Sequence, residues 1–268
     1  RRSVPVNRAH RRPAPAVLVA AAVAVAFFVV PLAGLLQRAD WGSLWADLTT
    51  SEARDAIRLS VVCSLSAALL SVAFGTPLAW VLARTAVPGR SVLRALVLLP
   101  MVLPPVVGGV ALLAAFSTRS PVGGWLHDTF GLQLTFSTAG AVLAQTFVAM
   151  PFYVLTVEAA LRGLDGRYEE AAASLGGSRW TVARRVTLPL VAPSVVAGAV
   201  LAWARALGEF GATITFAGNV AGRTRTLPLS VYLELQSDRD AAIALSLVLL
   251  VVSLVVIVSL RDRWITRP

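Results

Sequence analysis

Two histidines, one cysteine and no lysine stand among the 268 residues, so little of this chain can do covalent or metal chemistry. A loop that cradles nucleotide phosphates needs a lysine, as do Schiff bases and serine–lysine dyads, and composition excludes all three. Cys63 lies in an apolar run and reads as a small buried hydrophobe; one thiol and two imidazoles make no zinc site by count. An intramembrane protease would need serine with histidine, paired aspartates or a His-Glu-x-x-His zinc site. His10 and His127 fall outside the apolar runs, and no Asp lies within one. The expected set of catalytic residues and metal ligands is therefore empty.

What remains is charge in unusual places. Arg205 and Glu209 stand four apart inside an apolar run, hence on one helical face and able to pair. Ionisable groups within a membrane span are costly and face a bundle interior or a cavity. Two readings stay open: an ion pair that fixes helix packing, or a face bordering the route of an anion whose charge Arg205 offsets. Thr213, Thr215 and Asn219 extend a polar stripe with small glycines. Pro104 and Pro105, with Pro100 and the Gly108-Gly109 pair, interrupt another apolar run. Missing donors and weak helix propensity there fit either a kinked packing helix or a broken helix lining a pathway.

A third stretch, Glu170 to Pro189, is a polar island. Asp165, Glu169 and Glu170 sit where a helix start favours negative charge. Ala171, Ala172 and Ala173 follow, strong helix formers with little bulk. Gly176 and Gly177 end the helix through the left-handed cap. Ser178 can cap a second short helix that carries Arg179, Arg184 and Arg185 and stops before Pro189. The alanine face and the tight glycine turn suit docking into a groove of another protein; an ordinary loop helix is the plainer alternative.

The elements that must hold these stretches are membrane spans. The chain is 57% hydrophobic and only 14% charged, against about 25% charged for a soluble domain, and several apolar runs exceed bilayer length. Six spans are expected, at residues 16–36, 57–83, 93–116, 137–161, 190–216 and 241–260. Residues 1–15 form a basic tail and 261–268 a second one. Trp41 and Trp45 suit the lipid–water boundary, and Gln145 is a candidate interhelical hydrogen bonder. The basic charge behind the net +10 is carried by arginine alone, and all but Arg205 flank spans, which explains them better than nucleic-acid binding does. With the N-terminus inside, 16 arginines fall on the inner side and seven on the outer, so both termini and the polar island are expected in the cytoplasm.

Glu170-Ala171-Ala172, three residues, Gly176, nine residues, Val186, one residue, then Leu188-Pro189 resembles the EAA loop of ABC importer permeases, which prefer isoleucine where Val186 stands. The Leu-Pro-Pro run at 103–105 and Thr224-Arg225-Thr226-Leu227-Pro228 resemble the molybdate and sulphate branch of that family, over about residues 57–260. The resemblance implies an all-α, six-span, type I permease bundle with residues 165–189 as a cytoplasmic coupling loop. It implies Glu169, Glu170, Ala171, Ala172, Gly176 and Arg179 in coupling to an ATPase. Pro104, Pro105, Arg205, Glu209, Thr213 and Thr215 would line the pathway. It further implies a second copy of the chain, a pair of ATP-binding subunits that hold the ATP and Mg, a soluble binding protein outside and a bacterial inner membrane around it. Transport of molybdate by alternating access is the expected function, with no enzyme activity or cofactor in this chain. A sulphate, thiosulphate or tungstate permease is the alternative, and a channel or secondary transporter working alone is the competitor from another class.

Overall fold

The computed structural model describes residues 14–265, with side chains to residue 258; the arginines of residues 1–13 and Arg267 lie outside what is described, as do the side chains of Arg261 and Arg263. Among the described residues every regular element is helical. In order these are α1 (Pro15–Gln37), α2 (Leu44–Leu48), α3 (Ser51–Arg84), α4 (Arg90–Val102), α5 (Pro105–Phe116), α6 (Pro121–Phe130) and α7 (Thr138–Gly163). Then come α8 (Arg167–Ser174), α9 (Arg179–Val182), α10 (Leu188–Leu207), α11 (Gly211–Phe216), α12 (Leu227–Ser237) and α13 (Arg239–Ile265).

Five of these helices are long and apolar enough to cross a bilayer: α1, α3, α7, the continuous α9–α10 rod and α13. The sixth expected span is not one kinked helix. Its halves α4 and α5 meet at 119° across Leu103 and Pro104. The pair still carries the chain from one face to the other. Arg84 at the end of α3 pairs with Glu169 just beyond α7, whereas Ser60 and Thr138, near the starts of the same two helices, bond the 223–227 segment. So α3 and α7 run parallel, and what joins them must return. Arg94 of α4 meets Glu158 low on α7, and Gly108 and Leu112 of α5 pack near Phe147 and Ala144 higher up. Pro104 and Pro105 carry no backbone N–H, so the bend leaves no donor at those positions that lipid could not satisfy.

Two further boundaries differ from expectation. The helix carrying Arg179, Arg184 and Arg185 does not stop before Pro189. It passes through a π-helical turn, Ala183–Thr187, directly into α10. The Leu188 amide donates to the Ala183 carbonyl, so the wide turn sits where the Pro189 ring would otherwise press on the preceding carbonyls. The fifth span, in turn, ends at Leu207, and residues 211–216 form the separate short α11.

The core is the α3–α7–α10 triangle. Tyr153 is fully buried between Gly75 and Gly198, and a Cβ on Gly75 would stand 2.7 Å from its ring. Its hydroxyl shares a 2.6 Å hydrogen bond with Thr76 Oγ1. Around it pack Ala67, Ala79, Ala149, Ala202 and Ala206. Small residues matter here because lipid tails are as apolar as leucine, so close backbone approach rather than hydrophobic burial holds membrane helices together. α1 has no buried residue, consistent with a surface turned to lipid or to another chain.

Candidate functional site

The polar island forms a knuckle at one end of the bundle. The α8 helix starts with the Asp165 carboxylate accepting from the Arg167 amide at 3.0 Å and carries Glu169 and Glu170 in its first turn, where the helix dipole favours them. It ends as expected. Gly176 has φ +83°, and the amides of Gly176 and Gly177 donate to Ala173 and Ala172. Ser178 Oγ then accepts from the Thr181 amide at 3.2 Å and caps α9.

Glu169 faces its own chain. Its Oε1 accepts from Thr187 Oγ1 at 2.6 Å and its Oε2 pairs with Arg84 at 3.3 Å. It thereby ties α8 to the π turn and to the end of α3. Glu170, Ala171 and Arg179 are exposed and Ala172 is half-buried, while Tyr168, Leu175 and Trp180 turn outward, Leu175 with 89% of its surface free. An open apolar rim therefore surrounds the alanine helix at the tip of the knuckle. Arg179 also borders a cavity of about 560 Å³ with Trp80, Arg84 and Glu169.

The candidate pathway residues, far apart in sequence, converge. The break at Pro104-Pro105 packs directly on the break between α10 and α11. A Cβ on Gly211 would stand 3.0 Å from Pro105 Cβ, and one on Gly109 would stand 2.6 Å from Thr215 Cβ and 3.0 Å from the Ala212 carbonyl. Arg205 and Glu209 pair at 2.6 Å, as the spacing predicts. Glu209 does more than pair. It is 1% exposed, and its second oxygen accepts from the Ala212 amide at 2.9 Å, capping α11. Thr213 is fully buried, its hydroxyl without a hydrogen bond among the described residues, and Thr215 Oγ1 donates to the Gly211 carbonyl. These two threonines point different ways, so the expected single polar stripe is split. Asn219 is held by Arg225, whose Nε donates to Oδ1 at 3.0 Å, which closes the 219–225 turn.

Two residues stand differently from the sequence reading. Gln145 is fully buried, but its amide makes no hydrogen bond among the described residues, so no interhelical bond forms there. Glu158 is not among the expected site residues, yet it is 1% exposed and pairs with Arg162 at 2.6 Å and Arg94 at 3.3 Å. The signal was present in the four-residue spacing of Glu158 and Arg162 at the end of an apolar run.

Comparison with known proteins agrees with this architecture. Residues 75–267 match the model of the binding-protein-dependent transport system inner membrane component family. The chain is 50% identical over 241 residues to the molybdenum transport system permease protein ModB of Mycobacterium tuberculosis, covering 89% of this chain and 90% of that protein. It is 42% identical over 212 residues to ModB of Escherichia coli K12, covering 79% and 93%. Against the sulfate transport system permease protein CysT of the same bacterium it is 37% identical over 237 residues, covering 87% and 85%. A bacterial alginate ABC transporter, solved in complex with an alginate pentasaccharide-bound periplasmic protein, superimposes with a TM-score of 0.71 at 21% identity over 91% of this chain and 90% of that one. This all-helical chain, with its paired helix breaks and its knuckle, belongs to the family of binding-protein-dependent transport system inner membrane components.

Proposed function

We propose that this chain is the membrane-spanning subunit of an ATP-driven importer of molybdate. The observation that carries this reading is the 50% identity to a molybdenum permease along nearly the whole of both chains. Sulphate is the second reading, supported by the lower identity to CysT. In the proposed assembly two copies of the chain sit above two ATP-binding subunits, which hold ATP and Mg, and a soluble binding protein delivers the anion from outside. Both termini and the knuckle lie in the cytoplasm of a bacterial inner membrane, an orientation supported by the arginine asymmetry.

The geometry supports a lever mechanism for alternating access. Glu170, Ala171, Ala172 and the apolar rim of Leu175 and Trp180 dock on the ATPase, Gly176 sets the turn, and Glu169 positions the helix from behind. From Arg179 to Leu207 the chain is one rod of 29 residues, about 44 Å at 1.5 Å per residue. Its far end carries Arg205 and meets the Glu209-capped break. Closure of the ATPase pair moves the knuckle, and the rod delivers that motion to the two packed breaks beside Pro104 and Pro105. Arg205, 28% exposed in the single chain, is the charge available to a passing dianion.

The test is uptake in proteoliposomes containing the chain, its ATPase partner and its binding protein. ATP-dependent accumulation of molybdate ahead of sulphate is expected. Accumulation without ATPase would support a stand-alone carrier, and a preference for sulphate would move the substrate assignment.

A further inference from the structure

A second cationic site lies on the knuckle side of the bundle, away from the helix breaks. Arg90, Ser91, Arg94 and Arg162 line a cavity of about 450 Å³ with Ala95 and Leu98. One buried carboxylate, Glu158, faces these guanidinium groups and is shared between Arg162 and Arg94. Arg90 gives one hydrogen bond to the Thr85 carbonyl and has no carboxylate partner among the described residues. Two positive charges are left over. They sit on the opening turns of α4, where the helix dipole is itself positive, where no acidic residue occurs in the first turn and where Gly89 supplies no side-chain cap. Such a concentration of positive potential calls for an anion, and arginine forks with a helix start and a serine hydroxyl suit phosphate oxygens.

The rest of α4 says where that phosphate comes from. Beyond the cavity the helix turns Val92, Leu96, Leu99 and Val102 outward, with Val102 84% exposed. Ala95 and Leu98 continue from the arginines toward this apolar face, so the site is charged at one end and oily along the other. A free ion would use only the first part. We propose that the pocket holds the headgroup of an anionic phospholipid from the leaflet on the knuckle side, its acyl chains lying along α4. The choice of the cytoplasmic leaflet rests on the orientation proposed above, and basic pockets between spans on that side are where anionic headgroups bind.

Native mass spectrometry of the permease–ATPase complex, released from nanodiscs of equal parts phosphatidylglycerol and phosphatidylcholine, tests this. Each uncompensated arginine near the surface is worth about a fivefold preference for the anionic lipid, so two give roughly twenty-five-fold. Arg90→Gln should lower the preference about fivefold, Arg90→Lys should retain most of it, and Arg119→Gln, in the loop beyond α5, should leave it unchanged. Equal retention of the two lipids, no effect of Arg90→Gln, or an equal fall in Arg119→Gln overturns the site. Displacement of the lipid by inorganic phosphate in millimolar excess would make it a free-anion pocket and overturn the lipid assignment. Retention is read without transport, so failed molybdate uptake leaves this result standing. Labelling of Ser91→Cys from outside the cell would overturn the leaflet alone.

Discussion

The Arg205–Glu209 pair separates packing from transport, because its two ends are buried unequally. Glu209 is 1% exposed and Arg205 28%. Removing one partner of a buried pair costs about 3–5 kcal/mol, chiefly by stranding the other charge. Arg205→Ala strands the fully buried carboxylate and should reach that range. Glu209→Gln strands an arginine that can still draw on water or headgroups, so about 2–3 kcal/mol is expected. Its amide oxygen still accepts from Ala212. Glu209→Ala loses that cap as well, adding about 1 kcal/mol. At about 2–4 °C per kcal/mol for a chain of this size, Arg205→Ala should lower Tm by roughly 10 °C and Glu209→Gln by roughly 6 °C. The Arg205→Gln/Glu209→Gln double variant should recover most of the loss, since no charge is left uncompensated. Thermal unfolding of the purified complex, read beside molybdate uptake, is the assay. If Glu209→Gln abolished uptake with Tm unchanged, or proved costlier than Arg205→Ala, the pair would not act as a buried cap and counter-charge, and the reasoning would fail.

Other perturbations follow from the same geometry. Gly109→Leu places a side chain where its Cβ alone is 2.6 Å from Thr215, and overpacking of this kind costs about 1–3 kcal/mol; uptake should fall while co-purification with the ATPase persists. Gly176→Val forces a β-branched residue to φ +83°, so the knuckle should lose ATPase stimulation at normal membrane levels; stimulation equal to wild type would argue against the docking role. Glu170→Lys reverses an exposed charge at the start of α8 and should weaken ATPase capture without lowering Tm, to be measured by pull-down. Glu158→Gln leaves Arg94 and Arg162 facing each other without a carboxylate, and a loss of about 3 kcal/mol should appear as a Tm drop of several degrees.

Much of this architecture is legible in the chain itself. Apolar runs longer than a bilayer mark the spans, because lipid admits only segments that satisfy their own backbone. The knuckle is legible for a local reason: an acidic first turn, three alanines, Gly176 at positive φ and Ser178 as a cap are all short-range signals, and each appears where expected. Local signals also mislead where a neighbour overrides them. Pro189 reads as a stop, yet a π turn carries the helix through it. The Leu-Pro-Pro run reads equally well as a kink or a break, and its 119° bend depends on Gly211 and Gly109 letting α11 come into backbone contact.

What the sequence by itself determined is the order of the long apolar spans, the pairing of Arg205 with Glu209 and the glycine-turned knuckle, all set by residues close together in the chain. Only the tertiary structure decided that the breaks near residues 104 and 209 form one joint, that Glu169 turns inward to Arg84 and Thr187, and that Glu158 gathers Arg94 from 64 positions away. Those pairings depend on how far α3, α7 and α10 slide together over small residues, a sum over many weak contacts that no short stretch of chain encodes.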